Sequence, residues 1–168
     1  MLYTDKVGDN LLVGAKNILY KLNVQELRLT QTLRWSSLEP EIENCHVKGK
    51  EFSECQNYIK VLQQYKEEPN RYLICGTNAY KPQCREYVDE RGSYSLRPGS
   101  ERSGLGVAPF SYKHNSTAIL VDEEVYAGTV ADFTGVDPIV FRGGSEKLRT
   151  QQYKKISLSC RVFRISSS

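Results

Sequence analysis

The run Leu73-Ile74-Cys75-Gly76-Thr77 is a short apolar segment that ends in a glycine followed by a small residue. The same arrangement occurs at Leu11-Leu12-Val13-Gly14-Ala15 and at Val125-Tyr126-Ala127-Gly128-Thr129. The three glycines lie 62 and then 52 positions apart, and another candidate strand follows each copy. Units of several tens of residues, each with about four short strands, are typical of a β-propeller. Coincidence is the alternative, because apolar segments that end in glycine occur in any all-β protein.

Short strand signals surround these copies, and turn-forming residues such as Asp89-Glu90-Arg91-Gly92 separate them. The predicted strands are Leu11–Val13, Ile18–Val24, Thr32–Trp35, Tyr72–Cys75, Glu86–Val88, Tyr94–Leu96, Thr117–Val121, Val125–Thr129 and Ile139–Phe141. Asn57–Tyr65 fits either a helix or a strand, and its β-branched residues and short length favour a strand. Connections of a few residues join antiparallel neighbours, so the sequence predicts an all-β antiparallel meander.

Grouped by the repeat, these strands form about three antiparallel blades, and the full blade has four strands. The first blade lacks its innermost strand. The segments are 11–15, 18–24 and 32–36 in the first blade, 57–62, 72–77, 84–88 and 93–97 in the second, and 117–121, 125–129, 138–142 and 148–150 in the third.

The cysteines indicate how these blades are held together. Four of the five form two close pairs, Cys45 with Cys55 and Cys75 with Cys84, and neither pair has the spacing of a zinc site. Two local disulfides are favoured over free thiols. The first would close the loop between the first two blades, and the second would link neighbouring strands of the second blade. Cys160 is left over.

Composition excludes several classes of function. The chain has 168 residues, and its 23 Lys and Arg against 20 Asp and Glu give a net charge of +3. That balance is too even to indicate nucleic acid or an anionic membrane as the main partner. Apolar residues make up 39%, which suits a soluble globular protein, and no segment approaches the roughly 18–20 apolar residues of a membrane span.

Export is indicated by the cysteine pairs and by Asn115-Ser116-Thr117, a sequon that would carry a glycan on Asn115. The first residues, Met1-Leu2-Tyr3-Thr4-Asp5-Lys6, show no signal peptide. The sequence therefore leads us to expect that this chain lacks its true beginning.

The run Cys75-Gly76-Thr77-Asn78-Ala79-Tyr80-Lys81-Pro82-Gln83-Cys84 resembles the hallmark motif of the semaphorins. Other segments resemble the family's motifs in the family's order, and together they extend from about Leu2 to Tyr153. They include Val13–Asn17, Tyr20–Asn23, Cys45–Lys50, Glu54–Ile59, His114–Thr117, Tyr126–Phe133, Asp137–Pro138 and Leu148–Tyr153. The sequon and Thr129–Phe133 are most similar to invertebrate semaphorins of the transmembrane or secreted classes.

This resemblance implies a sema domain, a seven-bladed β-propeller of extracellular proteins that bind plexin receptors, commonly as homodimers, in axon guidance and cell migration. In the family, the cysteines that match Cys45 and Cys55, and those that match Cys75 and Cys84, are disulfide-bonded. Residues 1–153 would then be an incomplete sema domain of about three blades, and residues 154–168 a tail unrelated to the family. Ala108-Pro109-Phe110 departs from relatives that have a cysteine before the proline.

Catalysis finds little support, since the sequence has no nucleophile elbow and no complete glycine-rich phosphate loop. We expect no enzyme, no cofactor, no metal site, no nucleic acid and no small-molecule substrate. The leading hypothesis is a plexin-binding guidance ligand. The alternative is a truncated product that has no activity of its own, or that occupies a receptor as a decoy. Candidates for receptor contact, chosen as residue types common at binding hot spots, are Tyr80, Tyr87, Tyr94, Arg85 and Arg97. For each of them, a role as a packed strand residue or a solvated charge is at least as plausible. Trp35 is expected in the core.

Overall fold

The computed structural model describes residues 1–4 and 9–143 and the backbone of Leu148–Arg149. The chain forms antiparallel sheets in which neighbouring strands follow each other along the sequence. The first sheet is β1 (Leu2–Thr4), β2 (Asn10–Gly14), β3 (Ile18–Asn23) and β4 (Leu29–Arg34). The second is β5 (Ile59–Gln64), β6 (Arg71–Gly76), β7 (Gln83–Glu90) and β8 (Ser93–Leu96), with the short β9 (Arg102–Ser103) also paired to β7. The third is β10 (Thr117–Val121), β11 (Glu124–Val130), β12 (Pro138–Gly143) and β13 (Leu148–Arg149).

This arrangement confirms the predicted all-β fold of antiparallel four-stranded blades and the strand interpretation of Asn57–Tyr65. The prediction that the first blade lacks its innermost strand was wrong, because Leu2–Thr4 pairs with β2. Three residues are too few to show an alternating pattern, so no sequence pattern indicates β1. Its central residue is fixed from the second sheet, where Gln64 Oε1 accepts a hydrogen bond from the Tyr3 hydroxyl at 3.1 Å.

One helix, α1 (Glu39–Val47), was not predicted. Pro40 lies in its first turn, where a missing N–H costs nothing, and the Leu38 N–H donates to Glu41 Oε2 at 3.2 Å. The helix buries only Ile42 and Cys45, so its sequence has no sustained apolar period of 3.6 residues. Its position is set by the tertiary contacts of these two side chains and not by an amphipathic pattern.

The second sheet is buried on both faces, which explains the continuous apolar run of β6. Leu73 and Cys75 pack towards the third sheet, in a cluster that includes Val125, Ala127 and Phe141. The alternate residues Tyr72 and Ile74 pack towards the first sheet. Their cluster also contains Leu12, Leu19, Trp35, Ile59, Leu62, Tyr87 and Tyr94. Side chains alternate between the two faces of a strand, so one set of β6 side chains packs towards the first sheet and the other towards the third. The core therefore joins the blades face to face.

The connections between strands fall at two ends of the sheets because successive strands run in opposite directions. One end carries the connections β2–β3, β4–β5, β6–β7, β9–β10 and β11–β12, and we call it the loop face (residues 15–17, 35–58, 77–82, 104–116 and 131–137). The hairpins β3–β4, β5–β6, β7–β8 and β10–β11 lie at the opposite end. Within the described residues, no helix has the length and apolar character that a membrane crossing requires.

Candidate functional site

The loop face is organised around the turn between β6 and β7, which contains the motif that begins at Cys75. Asn78, Ala79 and Tyr80 all have left-handed backbone conformations, with φ of 42°, 51° and 62°. Three successive non-glycine residues in this region are costly, and such a turn persists only where its surroundings fix it. The Lys81 N–H closes the turn by donating to the carbonyl oxygens of Thr77 and Asn78 at 3.1 and 3.0 Å.

The fully buried side chain of Asn57 provides that fixation. Its Oδ1 accepts a hydrogen bond from the Asn78 N–H at 3.0 Å, and its Nδ2 donates to the Trp35 carbonyl at 2.9 Å. Its backbone N–H donates to Asn17 Oδ1 at 2.8 Å. A Cβ on Gly76 would lie 2.0 Å from Asn57 Oδ1, so only glycine leaves room for this contact. The side-chain amide of Asn57 thus links the β4–β5 and β6–β7 connections, and its backbone N–H adds the β2–β3 connection.

Two disulfides reinforce the same region. Cys45 of α1 is bonded to Cys55 before β5, with an S–S distance of 2.07 Å and a Cα–Cα distance of 5.7 Å. Cys75 and Cys84 face each other across β6 and β7 and are bonded with the same S–S distance. In the chain-entropy account, closing loops of this length contributes about 2–3 kcal/mol each to stability. The first disulfide ties the helix to the segment that leads into β5, and the second closes the β6–β7 turn at its base.

Lysines and aromatic rings form the central surface of the loop face. The rings of Tyr80 and Phe133 lie with centroids 4.6 Å apart. Lys50 Nζ is 4.9 Å from the Tyr80 centroid and 4.8 Å from that of Phe133, and Lys48 Nζ is 5.7 Å from Phe133. These cation–π contacts border an open groove of about 430 Å³ between α1, the β6–β7 turn and the β11–β12 loop. Among the described residues, neither Lys48 nor Lys50 has an ion-pair partner within 4.0 Å.

A carboxylate behind this surface links the β4–β5, β6–β7 and β9–β10 connections. Glu54 Oε1 accepts a hydrogen bond from the Tyr80 hydroxyl at 2.9 Å and lies 3.2 Å from Lys113 Nζ. Burial acts to raise the pKa of Glu54, but the hydrogen bonds from Tyr80 and Lys113 outweigh it, so the pKa is lowered. Glu54 is therefore ionised in the folded chain at neutral pH and fixes the Tyr80 ring.

The three tyrosine contact candidates are packed residues. Tyr80, Tyr87 and Tyr94 are 7%, 5% and 2% exposed. Trp35 is 4% exposed, as expected of a core residue. Arg85 lies over the Trp35 ring, with its Cζ 4.5 Å from the centroid. Sequence reasoning did not identify the lysines and Phe133 that form this functional surface. The only sequence signal for them is that they lie in loops of the same face.

The remaining candidates are on the surface or in structural contacts. Asn115 is exposed and lies two residues before β10, while Cys160 lies outside the described residues. Asp132 accepts backbone hydrogen bonds from Thr134 to Asp137 and so shapes the β11–β12 loop. Glu124 pairs with Arg142. Within the described residues, no group of three or more His, Cys, Asp or Glu side chains is placed to hold a metal. Asp132 and Glu124 thus have structural roles.

Comparison with known proteins gives a consistent set of relatives, although no family model matches the chain. This chain is 41% identical over 158 residues to Semaphorin-1A of Drosophila melanogaster. The alignment covers 94% of this chain and 17% of that protein. Drosophila Semaphorin 1b, extracellular domains 1–2, matches with a TM-score of 0.76 and 36% identity over 91% of this chain and 28% of the other. A chain of Drosophila Plexin A in complex with Semaphorin 1b matches with a TM-score of 0.75 and 36% identity, over 90% of this chain and 28% of that one. The chain spans about a sixth of the length of Semaphorin-1A.

Proposed function

Because the chain belongs to the semaphorin family, we propose that it recognises a plexin-type receptor and takes part in guiding growing axons and migrating cells. The observation that carries this proposal is the rigid loop face, built on the motif from Cys75 to Cys84, in a fold that matches a chain of a plexin–semaphorin complex. Recognition proceeds by surface complementarity, and no covalent chemistry is required.

We place the receptor contact on the groove of the loop face. Interface hot spots combine aromatic rings with cationic groups, and their energy is greatest where the binding surface is already ordered. Lys48 and Lys50 are held beside Phe133, and neither lysine has an ion-pair partner within 4.0 Å among the described residues. The groove therefore suits an acidic segment of the receptor that also presents an apolar side chain.

The protein is proposed to act outside the cell or at its surface. Disulfides persist in oxidising compartments, and both pairs of the described chain are formed. The exposed Asn115 is proposed to carry an N-linked glycan. A homodimer of the full-length protein is part of the same proposal.

Residues 1–153 are proposed to belong to a sema domain, with residues 154–168 outside it. Support comes from the outer face of the third sheet, where Ile119, Val121, Tyr126 and Val140 are 48%, 43%, 37% and 60% exposed. A sheet with one apolar face on the core and a second apolar face exposed suits packing against a further blade.

Surface plasmon resonance with an immobilised plexin A ectodomain tests the receptor proposal. The double variant Lys48→Glu, Lys50→Glu is expected to weaken binding by about tenfold or more, because reversed charges at an interface repel an acidic partner. Lys66→Glu is the matched control, since Lys66 is exposed at the opposite end of the second sheet. Saturable binding that both variants leave unchanged would refute the groove as the contact, and absence of binding by the native chain would refute the proposed function. A cell-collapse assay then separates a signalling ligand from a receptor decoy.

A further inference from the structure

His114 of the β9–β10 connection packs directly against the backbone of the β11–β12 loop. A Cβ on Gly135 would lie 2.2 Å from His114 Nε2 and 2.6 Å from its Cε1, so the imidazole occupies the space of a side chain there. Gly135 also has a φ of 79°, a conformation that glycine adopts without strain. Glycine at this position therefore lets the imidazole support the loop.

The imidazole is held from its own connection and is placed for an uncharged ring. The His114 N–H donates to the Ser111 carbonyl at 3.2 Å, and the Lys113 N–H donates to Ser111 Oγ at 3.2 Å. Ser111 is buried, so this turn is anchored in the interior. The His114 Nδ1 atom is buried as well and has no hydrogen-bond partner within the described part of the chain. A second proton on this ring would therefore bury a charged donor without an acceptor, which is costly.

Charged groups of the neighbouring elements act on this ring in both directions. They are Asp132 of the β11–β12 loop, Lys50 and Glu54 of the β4–β5 connection, and Lys60 of β5. Lys113 of the same connection as His114 is paired with Glu54, and Asp137 is the second acid of the β11–β12 loop. Burial lowers the pKa of His114, Asp132 and Glu54 act to raise it, and the two lysines lower it further, so the pKa lies below its ordinary value. The ring is therefore neutral at physiological pH.

The loop that His114 supports also carries an aromatic ring of the groove. The carboxylate of Asp132 accepts hydrogen bonds from the backbone N–H groups of residues 134–137, at distances of 2.8–3.1 Å. These bonds make the loop one compact unit. Phe133 belongs to this unit, and its ring centroid lies 4.6 Å from that of Tyr80. A displacement of the loop would therefore move Phe133 out of the groove.

We propose that His114 is a positioning residue for the groove, whose neutral ring holds the β11–β12 loop in place and whose protonation releases it. Receptor binding then weakens on acidification, a consequence that rests on the proposed function. The nearby carboxylates do not account for such a change. For both Asp132 and Glu54, burial acts to raise the pKa but hydrogen bonds outweigh it, so both stay ionised in mild acid.

Hydrogen–deuterium exchange of the native chain without receptor tests this contact, so its outcome does not depend on the proposed function. Labelling is compared at about pH 7.5 and about pH 5.5, with times scaled for the change in the intrinsic exchange rate. A histidine with the ordinary pKa of about 6.5 in the open loop and no charge in the closed loop shifts the opening equilibrium by up to about tenfold over this interval. Amides within residues 133–137 are therefore expected to exchange about threefold to tenfold faster in acid.

Two variants assign this effect to one histidine. His114→Gln keeps a polar side chain that does not titrate, and it is expected to abolish the difference between the two pH values. The matched control is His46→Gln, which removes the chain's other histidine, exposed on α1, and is expected to leave the difference unchanged. Equal exchange of the native loop at both pH values would overturn the proposal without any variant. An acid effect that persists in His114→Gln, or that disappears in His46→Gln, would overturn it as well.

Discussion

Replacement of Asn57 by alanine removes the side-chain amide that joins the β4–β5 and β6–β7 connections of the loop face. The side chain is 0% exposed, so water does not take its place without rearrangement. The substitution leaves two backbone groups without their partners: the Trp35 carbonyl, now 2.9 Å from Asn57 Nδ2, and the Asn78 N–H, now 3.0 Å from its Oδ1. The left-handed turn at Asn78, Ala79 and Tyr80 loses the contact that fixes its first residue.

The expected cost is about 2–6 kcal/mol of unfolding free energy, because each of the two stranded buried groups costs about 1–3 kcal/mol. That is a large share of the roughly 5–15 kcal/mol that stabilises a typical domain. Urea unfolding of the oxidised chain, followed by tryptophan fluorescence of Trp35, measures the loss directly. Asn70→Ala is the control, since Asn70 is exposed and its side chain has no hydrogen bond in the described structure.

A second variant, Asn57→Asp, separates packing from hydrogen bonding. It keeps the shape and the acceptor for Asn78, but it places a carboxylate oxygen against the Trp35 carbonyl. It is expected to be at least as destabilising as alanine at neutral pH, because a buried charge without a partner is costly. A loss below about 1 kcal/mol for both variants, or a loss equal to that of Asn70→Ala, would refute the role assigned to this amide.

Three further outcomes are expected. Peptide mapping without reduction recovers Cys75 linked to Cys84, and replacing both by serine lowers the unfolding free energy by about 2–4 kcal/mol; separate thiols in the native chain would contradict the pairing. Expression in a secretory pathway yields a glycan on Asn115 that Thr117→Ala abolishes and that mass spectrometry detects; an unmodified native chain counts against it. Burial lowers the pKa of His114 below its ordinary 6.5, so the unfolded chain binds the proton first and stability falls as the pH drops below that value; a titration curve of stability unchanged by His114→Gln would disprove this.

Much of the fold could be predicted because sheet formation here depends on local signals. The strands of the second sheet carry β-branched and aromatic residues between short turns, so β6 and β7 were recognisable from Tyr72–Cys75 and Glu86–Val88. The repeat of an apolar strand ending in glycine also has a physical basis in Gly76, where Asn57 occupies the space of a side chain. The helix α1 was not predicted because its stability depends on Ile42 and Cys45 packing against distant residues.

The functional surfaces were less accessible to sequence reasoning because they depend on contacts between distant segments. Lys50 and Phe133 are brought together by loops of two different sheets. No local pattern indicates such a contact. Arg97 was named as a candidate from its residue type alone, and only the structure reveals that it shares Glu86 with Arg102. The tyrosines chosen as contact candidates on the same basis are buried, because packing between the sheets also requires large side chains.

Hydrogen–deuterium exchange of the chain with and without a plexin A ectodomain tests the central claim most directly, because it locates the contact without a substitution. The account predicts that peptides of the loop face, within residues 44–58, 77–82 and 131–137, gain protection on receptor binding. The hairpin of β7 and β8 at Arg91 and Gly92, at the opposite end of the second sheet, is predicted to exchange unchanged. Protection confined to that opposite end, or to the outer face of the third sheet, would contradict the claim that the loop face recognises the receptor.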